Sequence, residues 1–274
     1  MAEIITSAAN PVVKRVRLLA DRKHRRREGA FVVDGIQPVW RVVEAGWEIE
    51  TLVVAPELLA GSPAMEMVER QELAGTRVAR VSRELFGRLS EREGPPGLAA
   101  IVRSRSRSLA DLVVRPDAAF VALHDIGNPG NLGTIVRTVD ATGCAGVILV
   151  GDTSDPFAPT AVKASMGSLF AVTVAHAATL DEFFDWSRAR GVQVVATSGG
   201  AVANHWDISY PTPLAVLFGS EGPGLPEQAL RRADRRVRIP MVGTAESLNL
   251  AVAAAVMMYE VRRSALEGPQ PGGR

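Results

Sequence analysis

The chain has 274 residues, of which 47% are hydrophobic and 22% charged, with a formal net charge of +1 at pH 7. That length favours two domains, and the composition is that of a globular protein, not a disordered or fibrous one. Charges or prolines interrupt every apolar run, so no membrane-spanning segment is expected, and an N-terminus without an apolar core predicts a cytoplasmic protein.

Asn10-Pro11 reads as a helix start, proline being tolerated in a first turn. The helix is expected to run into a basic stretch of Lys14, Arg15, Arg17, Arg22, Lys23, Arg25, Arg26 and Arg27, with Asp21 its only acid. Such a run suits RNA phosphates, or else a solvated helix face. A strand at 31–35, a helix from 36 closed by Gly46, a strand at 49–55, a helix at 63–73, a strand at 77–81, a short helix capped by Ser82 and a strand at 97–103 follow. These make a small alternating α/β domain over residues 1–105. The RSRSRS run at 103–108 marks a linker, set at residues 106–117. From 119 the alternation resumes: a strand ending in His124, a helix from about Asn131 closed by Gly143, a strand at 146–151, the VKASMGSLFAVTV segment, a helix at 180–191 and a strand at 192–200. LAVLFG and VRIP read as further short strands, and an apolar helix runs from about 247 to 264. Near-continuous apolar strands predict a parallel sheet covered on both faces, in a second domain at 118–266. Residues 267–274 read as a frayed tail.

Three segments carry the chemistry: HDIGNPGNLGTIVR, LFGSEGPGLP and IPMVGTAESLNLAVAAAVMMYEVRR. Each places glycines and a few polar residues after a short apolar run, so three strand ends are expected to converge on one pocket. Asn131, Thr134 and Arg137 share a helix face near its N-terminus, where free amides can take a polar ligand and an arginine can fork onto a phosphate or carboxylate. Glu221 stands between glycines after a strand. Ser247 and Asn249 precede a long helix, and capping alone would explain either. No G-x-G-x-x-G fingerprint in strand-turn-helix context and no G-x-x-x-x-G-K-[ST] loop is present, which argues against a conventional dinucleotide enzyme and a nucleotide hydrolase. Cys144 is the only cysteine and the four histidines lack ligand spacing, so no disulfide and no metal centre are expected.

In the order N-P-G-N-x-G-x-x-x-R, G-S-E-G-x-G-L and I-P-M-x-G-x-x-x-S-L-N, the three closely resemble the SpoU/TrmH family of RNA ribose 2′-O-methyltransferases, over about 119–263. ITSAANPVVK, RKHRRREGAFVVDG and GLAAIV resemble that family's substrate-binding domain, although EREGPPG departs from its usual turn. The resemblance implies a C-terminal parallel α/β domain with a deep trefoil knot, a smaller, ribosomal-protein-like N-terminal α/β domain that binds RNA, and a homodimer. It implies S-adenosyl-L-methionine as cofactor, with Gly219, Ile239, Leu248 and Thr197 at cofactor-contacting positions. It implies Asn131, Arg137, Glu221, Ser247 and Asn249 around the methyl acceptor, and VKASMGS resembles a family segment near the site, which adds Lys163 to the RNA contacts that the basic run itself predicts at Lys14, Arg22, Lys23, Arg25 and Arg26.

Members with this kind of N-terminal domain act mostly on ribosomal RNA, which is favoured over tRNA, and some protect ribosomes against antibiotics. The family's proposed base is the counterpart of Arg137, but a guanidinium releases its proton only above about pH 12, so a phosphate clamp is physically easier. A non-catalytic RNA-binding or ribosome-assembly factor is the competing class, and it predicts erosion of the polar set; all five residues are present. A nucleotide-binding regulator would bind adenine nucleotides without methyl transfer. Trp40, Trp47, Trp186 and Trp206 read as core or interface, His124 as a strand-end structural residue and Cys144 as buried.

Overall fold

The computed structural model describes residues 3–90 and 94–267, so the expected tail beyond Glu267 and part of EREGPPG lie outside the described residues. The chain divides into two compact units. One comprises the chain up to Arg105 together with Asp155–Ala171, the other Ser106–Ser154 together with the chain from Val172 on.

The first unit begins with α1 (Pro11–Leu18), capped by Asn10, whose side chain accepts from the Val12 amide at 2.9 Å. The basic stretch is not one helix. Asp21 accepts from the Lys23 amide at 2.7 Å and starts a second helix, α2 (Arg22–Glu28). A short carboxylate offers the backbone an alternative to helix continuation, and that splits the run. There follow β1 (Ala30–Asp34), α3 (Ile36–Glu44), β2 (Ile49–Val54), α4 (Ala64–Leu73), β3 (Arg77–Arg80), α5 (Arg83–Gly87) and β4 (Leu98–Arg103). The sheet order is β1-β4-β2-β3, with β4 antiparallel to both neighbours and β2 parallel to β3. Val12, Val13, Val16 and Leu19 of the first helix and its end cover Val53, Ala79 and Ile101.

Asp155–Ala171, within the stretch read as the second domain, completes this first unit. It carries α7 (Pro159–Ala164) and two aromatic anchors. Phe157 lies 4.6 Å from Phe31, centroid to centroid, and the Trp47 indole donates to the Phe170 carbonyl at 3.1 Å. Asp155 accepts from both Nε and Nη2 of Arg25 at 2.8 Å, while Arg25 Nη1 donates to the carbonyls of Leu19 and Ala20. Arg25 is thus 6% exposed and fully engaged, which corrects its expected role as an RNA contact. The cause is α-helical periodicity: position 25 faces inward while 22, 23 and 26 face out.

In the second unit, the expected linker is packed. Leu109 and Leu112 are buried in the core, and the Asp111 carboxylate accepts from the Ser108 amide at 2.7 Å. The unit contains β5 (Ala119–His124), α6 (Pro129–Thr142), β6 (Gly146–Val150), β7 (Val174–Ala177), α8 (Leu180–Arg190), β8 (Gln193–Thr197), β9 (Ala203–Asn204), β10 (Leu214–Phe218), α9 (Glu227–Arg232), β11 (Arg235–Arg238) and α10 (Leu250–Glu267). The sheet order is β7-β6-β5-β10-β8-β11-β9 and every pairing is parallel. β6 and β10 are buried at every position, as a sheet covered on both faces requires. β10 enters between β5 and β8, so the chain returns to the middle of the sheet after strands on both sides of it, and β11 then enters between β8 and β9. Parallel strands bring the C-terminal ends of β5, β10, β8 and β11 to one edge, where ligands of such sheets bind. Among the described residues, no helix is long and apolar enough to cross a membrane.

Removing one partner of a buried ion pair leaves the other charge stranded. Arg25→Ala is therefore expected to cost about 3 kcal/mol in urea denaturation, whereas Lys23→Ala, on the exposed face, stays within about 0.5 kcal/mol of the parent.

Candidate active site at the carboxyl edge of the parallel sheet

Two helices start at this edge. Asn128 caps α6, its side-chain oxygen accepting from the amides of Gly130 at 2.8 Å and Asn131 at 3.1 Å. The helix therefore begins at Pro129, two residues before the expected start, and Asn131 lies in its first turn. Asn249 caps α10, its Oδ1 accepting from the Ala251 amide at 2.9 Å, so that helix begins at Leu250, later than expected.

The third piece is the loop after β10. Ser220 and Gly224 form a bridge, the Gly224 amide donating to the Ser220 carbonyl at 3.1 Å. A Cβ on Gly219 would lie 2.1 Å from the Gly224 carbonyl carbon, and Gly222 has φ +100°, so the tight loop holding Glu221 near its tip requires glycine at both.

These pieces meet in a chain of hydrogen bonds. Asn249 Nδ2 donates to Asn131 Oδ1 at 3.1 Å, and Asn131 Nδ2 donates to Glu221 Oε1 at 2.6 Å. Its direction is fixed at one end. A backbone amide can only donate, so Ala251 commits Asn249 Oδ1 as acceptor and turns its Nδ2 toward Asn131. Asn131 must then present its oxygen to Asn249 and its amide to Glu221, which accepts. Both helix N-termini favour negative charge on that carboxylate.

Arg137 stands six residues beyond Asn131, roughly 9 Å along the axis, exposed and without a hydrogen bond or ion pair among the described residues. Ser247 lies in the exposed loop before α10, outside the chain of bonds. Thr134 donates its hydroxyl to the Gly130 carbonyl at 2.9 Å. Thr197 ends β8 and donates to the Leu217 carbonyl of β10 at 3.2 Å, while Gly219 and Ile239 follow β10 and β11 directly. Leu248, 38% exposed, precedes the cap of α10. Lys14, Arg22, Lys23 and Arg26 are exposed on α1 and α2, and Lys163 is exposed on α7, all in the first unit.

Two residues escaped sequence reasoning. Asn128, the cap that orients Asn131, was legible as an Asn-Pro helix start. Asp125 has φ +50°, and its carboxylate accepts from the Asp152 amide at 2.9 Å, pinning the turn after β6 to the turn after β5; nothing in its sequence neighbourhood signals that. His124 ends β5 with Nε2 3.2 Å from Asp125, as a strand-end structural residue would. Cys144 is half-buried between Thr142 and Met258, and burial pushes its thiol above the usual range.

Residues 118–259 match the SpoU rRNA Methylase family, and residues 10–100 match the MRM3-like substrate binding domain. The chain belongs to the SpoU rRNA methylase family. A 23S rRNA (uridine(2479)-2′-O)-methyltransferase of Streptomyces viridochromogenes is 33% identical, over 92% of this chain and 88% of its own. A 23S rRNA (guanosine(2553)-2′-O)-methyltransferase of Bacillus subtilis is 30% identical, over 94% and 98%. The crystal structure of an AdoMet-bound rRNA methyltransferase from Sinorhizobium meliloti superposes with a TM-score of 0.88 at 39% identity, covering 95% of this chain and 97% of that one.

The loops of this SpoU-family chain fit S-adenosylmethionine by their chemistry. In the segments after β8, β10 and β11, residues 198–202, 219–226 and 239–249, the only ionisable side chains are the carboxylates Glu221 and Glu246. Such a set suits a cationic sulfonium ligand and repels a phosphate-bearing one. The remainder is backbone, small polar groups and exposed apolar side chains such as Val242 and Leu248, suited to an adenosyl group.

Aspartate caps helices as well as asparagine but cannot donate from its side chain. Asn249→Asp is therefore expected to keep stability within about 0.5 kcal/mol in urea denaturation while methyl transfer falls at least about ten-fold, two oxygens now facing each other at Asn131. Asn249→Ala should lose both, with about 1 kcal/mol of stability.

Proposed function

We propose that this chain is an S-adenosylmethionine-dependent RNA ribose 2′-O-methyltransferase acting on 23S ribosomal RNA, as a homodimer in the cytoplasm. The observation that carries the reading is the directed chain from the Ala251 amide through Asn249 and Asn131 to Glu221, on the edge where a cationic cofactor fits. A binding-only relative has no reason to keep a carboxylate oriented by two asparagines. The relatives named above, acting on a uridine and a guanosine of 23S rRNA, favour ribosomal RNA and leave the base open.

Thr197, Gly219, Ile239 and Leu248 hold the cofactor, in loops that the resemblance predicts to be knotted; the return of β10 to the sheet centre agrees with such threading. When bound, S-adenosylmethionine supplies a methyl group on a sulfonium, open to in-line attack by the ribose 2′-oxygen. Glu221 Oε1 is occupied by Asn131 and Oε2 carries no bond among the described residues, so Oε2 takes the 2′-hydroxyl proton. Arg137 clamps a phosphate of the RNA, which its exposure and lack of a partner permit. Ser247 hydrogen-bonds the substrate or cofactor. Positioning of this kind contributes several of the roughly 7–11 kcal/mol available from orientation.

The unit formed by the chain up to Arg105 and Asp155–Ala171 grips RNA through Lys14, Arg22, Lys23 and Arg26 of α1 and α2 and through Lys163 of α7. Dimerisation is supported by α10, where Val252, Tyr259 and Leu266 are exposed at 49%, 58% and 71%. Their seven-residue spacing puts them in one apolar stripe.

Tritium transfer from labelled cofactor to total RNA tests the activity, and no label in any RNA fraction would refute it. Glu221→Gln is expected to lower kcat at least about 100-fold with unchanged affinity for S-adenosylhomocysteine in calorimetry. Arg137→Ala should act mainly on KM for RNA and flatten its salt dependence by about one phosphate contact; an undiminished kcat/KM would remove the clamp. Tyr259→Glu is expected to sediment as a monomer where the parent sediments as a dimer.

A further inference from the structure

A cleft of about 400 Å³ runs along the outer flank of α3 in the first unit, lined by Ile36, Gln37, Trp40, Arg41 and Glu44. The helix buries its opposite side, where Val39 and Val42 are wholly enclosed. Trp40 is only half-buried, unlike Trp186, and Gln37 is exposed. Among the described residues, neither the Trp40 indole N–H nor the Gln37 amide has a hydrogen-bond partner. The volume lies at the small end of ligand sites.

The turn after α7 abuts this flank, since a Cβ on Gly167 would come within 2.8 Å of Arg41 Cγ. Met166, in that turn, has φ +51° and is 54% exposed. Both features work against the fold: a left-handed backbone favours glycine, and a half-exposed thioether buries little apolar surface. The turn is nonetheless held firmly. Ser165 is fully buried, its hydroxyl donating to the Val162 carbonyl at 2.8 Å, and the Met166 and Ser168 amides donate to the Lys163 and Ser165 carbonyls. Lys163, one turn earlier, is exposed and free of ion pairs among the described residues. A strained, clamped, exposed apolar residue beside a cation indicates a contact outside the chain.

We propose that this cleft is a subsite for one unpaired nucleobase of the RNA substrate, an inference that rests on the activity proposed above. Trp40 offers a stacking face and a donor, and Gln37 offers a donor and an acceptor to the base edge. Met166 packs its sulfur on the base from the rim, and Lys163 takes an adjoining phosphate. α3 lies within the residues matched to a substrate-binding domain, which favours RNA over a protein ligand. A duplex, whose base faces are stacked away, does not fit.

Met166→Gly separates this role from a structural one, because glycine suits the backbone and should hold or raise the melting temperature. Its KM for in vitro transcribed 23S rRNA is expected to rise about three-fold, and that of Trp40→Leu at least about five-fold, each with a smaller change in kcat. In anisotropy, a labelled oligouridine should bind the parent more tightly than a duplex of equal length, and Trp40→Leu and Gln37→Ala should erase that preference. Unchanged KM in Met166→Gly and Trp40→Leu, or equal binding of the duplex, would overturn the subsite. A parent that transfers no methyl group would sink the activity instead, while the oligouridine comparison would still decide the cleft.

Discussion

A backbone amide has no choice of polarity, and at Ala251 that constraint orders the whole candidate site. Because this N–H must donate, Asn249 must accept with its oxygen and donate with its nitrogen, and Asn131 inherits the same orientation one step on. Glu221 receives the last hydrogen bond and is held as an acceptor with one oxygen left over. An amide side chain that could otherwise flip is thereby given one arrangement. The same start of α10 that exposes an orphan donor also supplies the field that favours the carboxylate.

The sheet makes this possible by bringing distant sequence together. Residues 131, 221 and 249 belong to three strand-to-helix or strand-to-loop passages, and parallel pairing gathers all of them on one edge. The glycine spacing in G-S-E-G-x-G is set by steric need: the loop folds back so closely at Gly219 that no Cβ fits, and Glu221 is carried on the resulting turn. Charge then selects the ligand, since two carboxylates and no cation stand on the three loops after β8, β10 and β11.

Much of this was legible because it is local. The apolar runs of β5, β6 and β10, the Asn10 cap and the Gly143 stop are set by nearest neighbours, and each was read to within a residue or two. The three motifs pointed to one site through their order and spacing. Most of what was missed depends on contacts far apart in sequence. Arg25 looks like its basic neighbours until Asp155, 130 residues away, is found holding it. The break at Asp21 needed the distinction between a carboxylate inside a helix and one starting it, and the burial of Leu109 and Leu112 needed knowledge of the core that receives them. Arg137 was expected on one face with Asn131, yet an arginine two turns along stands apart from the hydrogen-bonded trio.

The excursion of Asp155–Ala171 into the first unit bears on how the protein is made. Phe31 and Trp47 wait for Phe157 and Phe170, and Arg25 waits for Asp155, so the N-terminal unit is unfinished until residue 170 has left the ribosome. By then β5, α6 and β6 have already been synthesised. Domains usually fold in order of emergence. Here the first unit cannot close on its own 105 residues: it waits for a segment made only after the first strands and helix of the other unit, so the two units are committed to folding together.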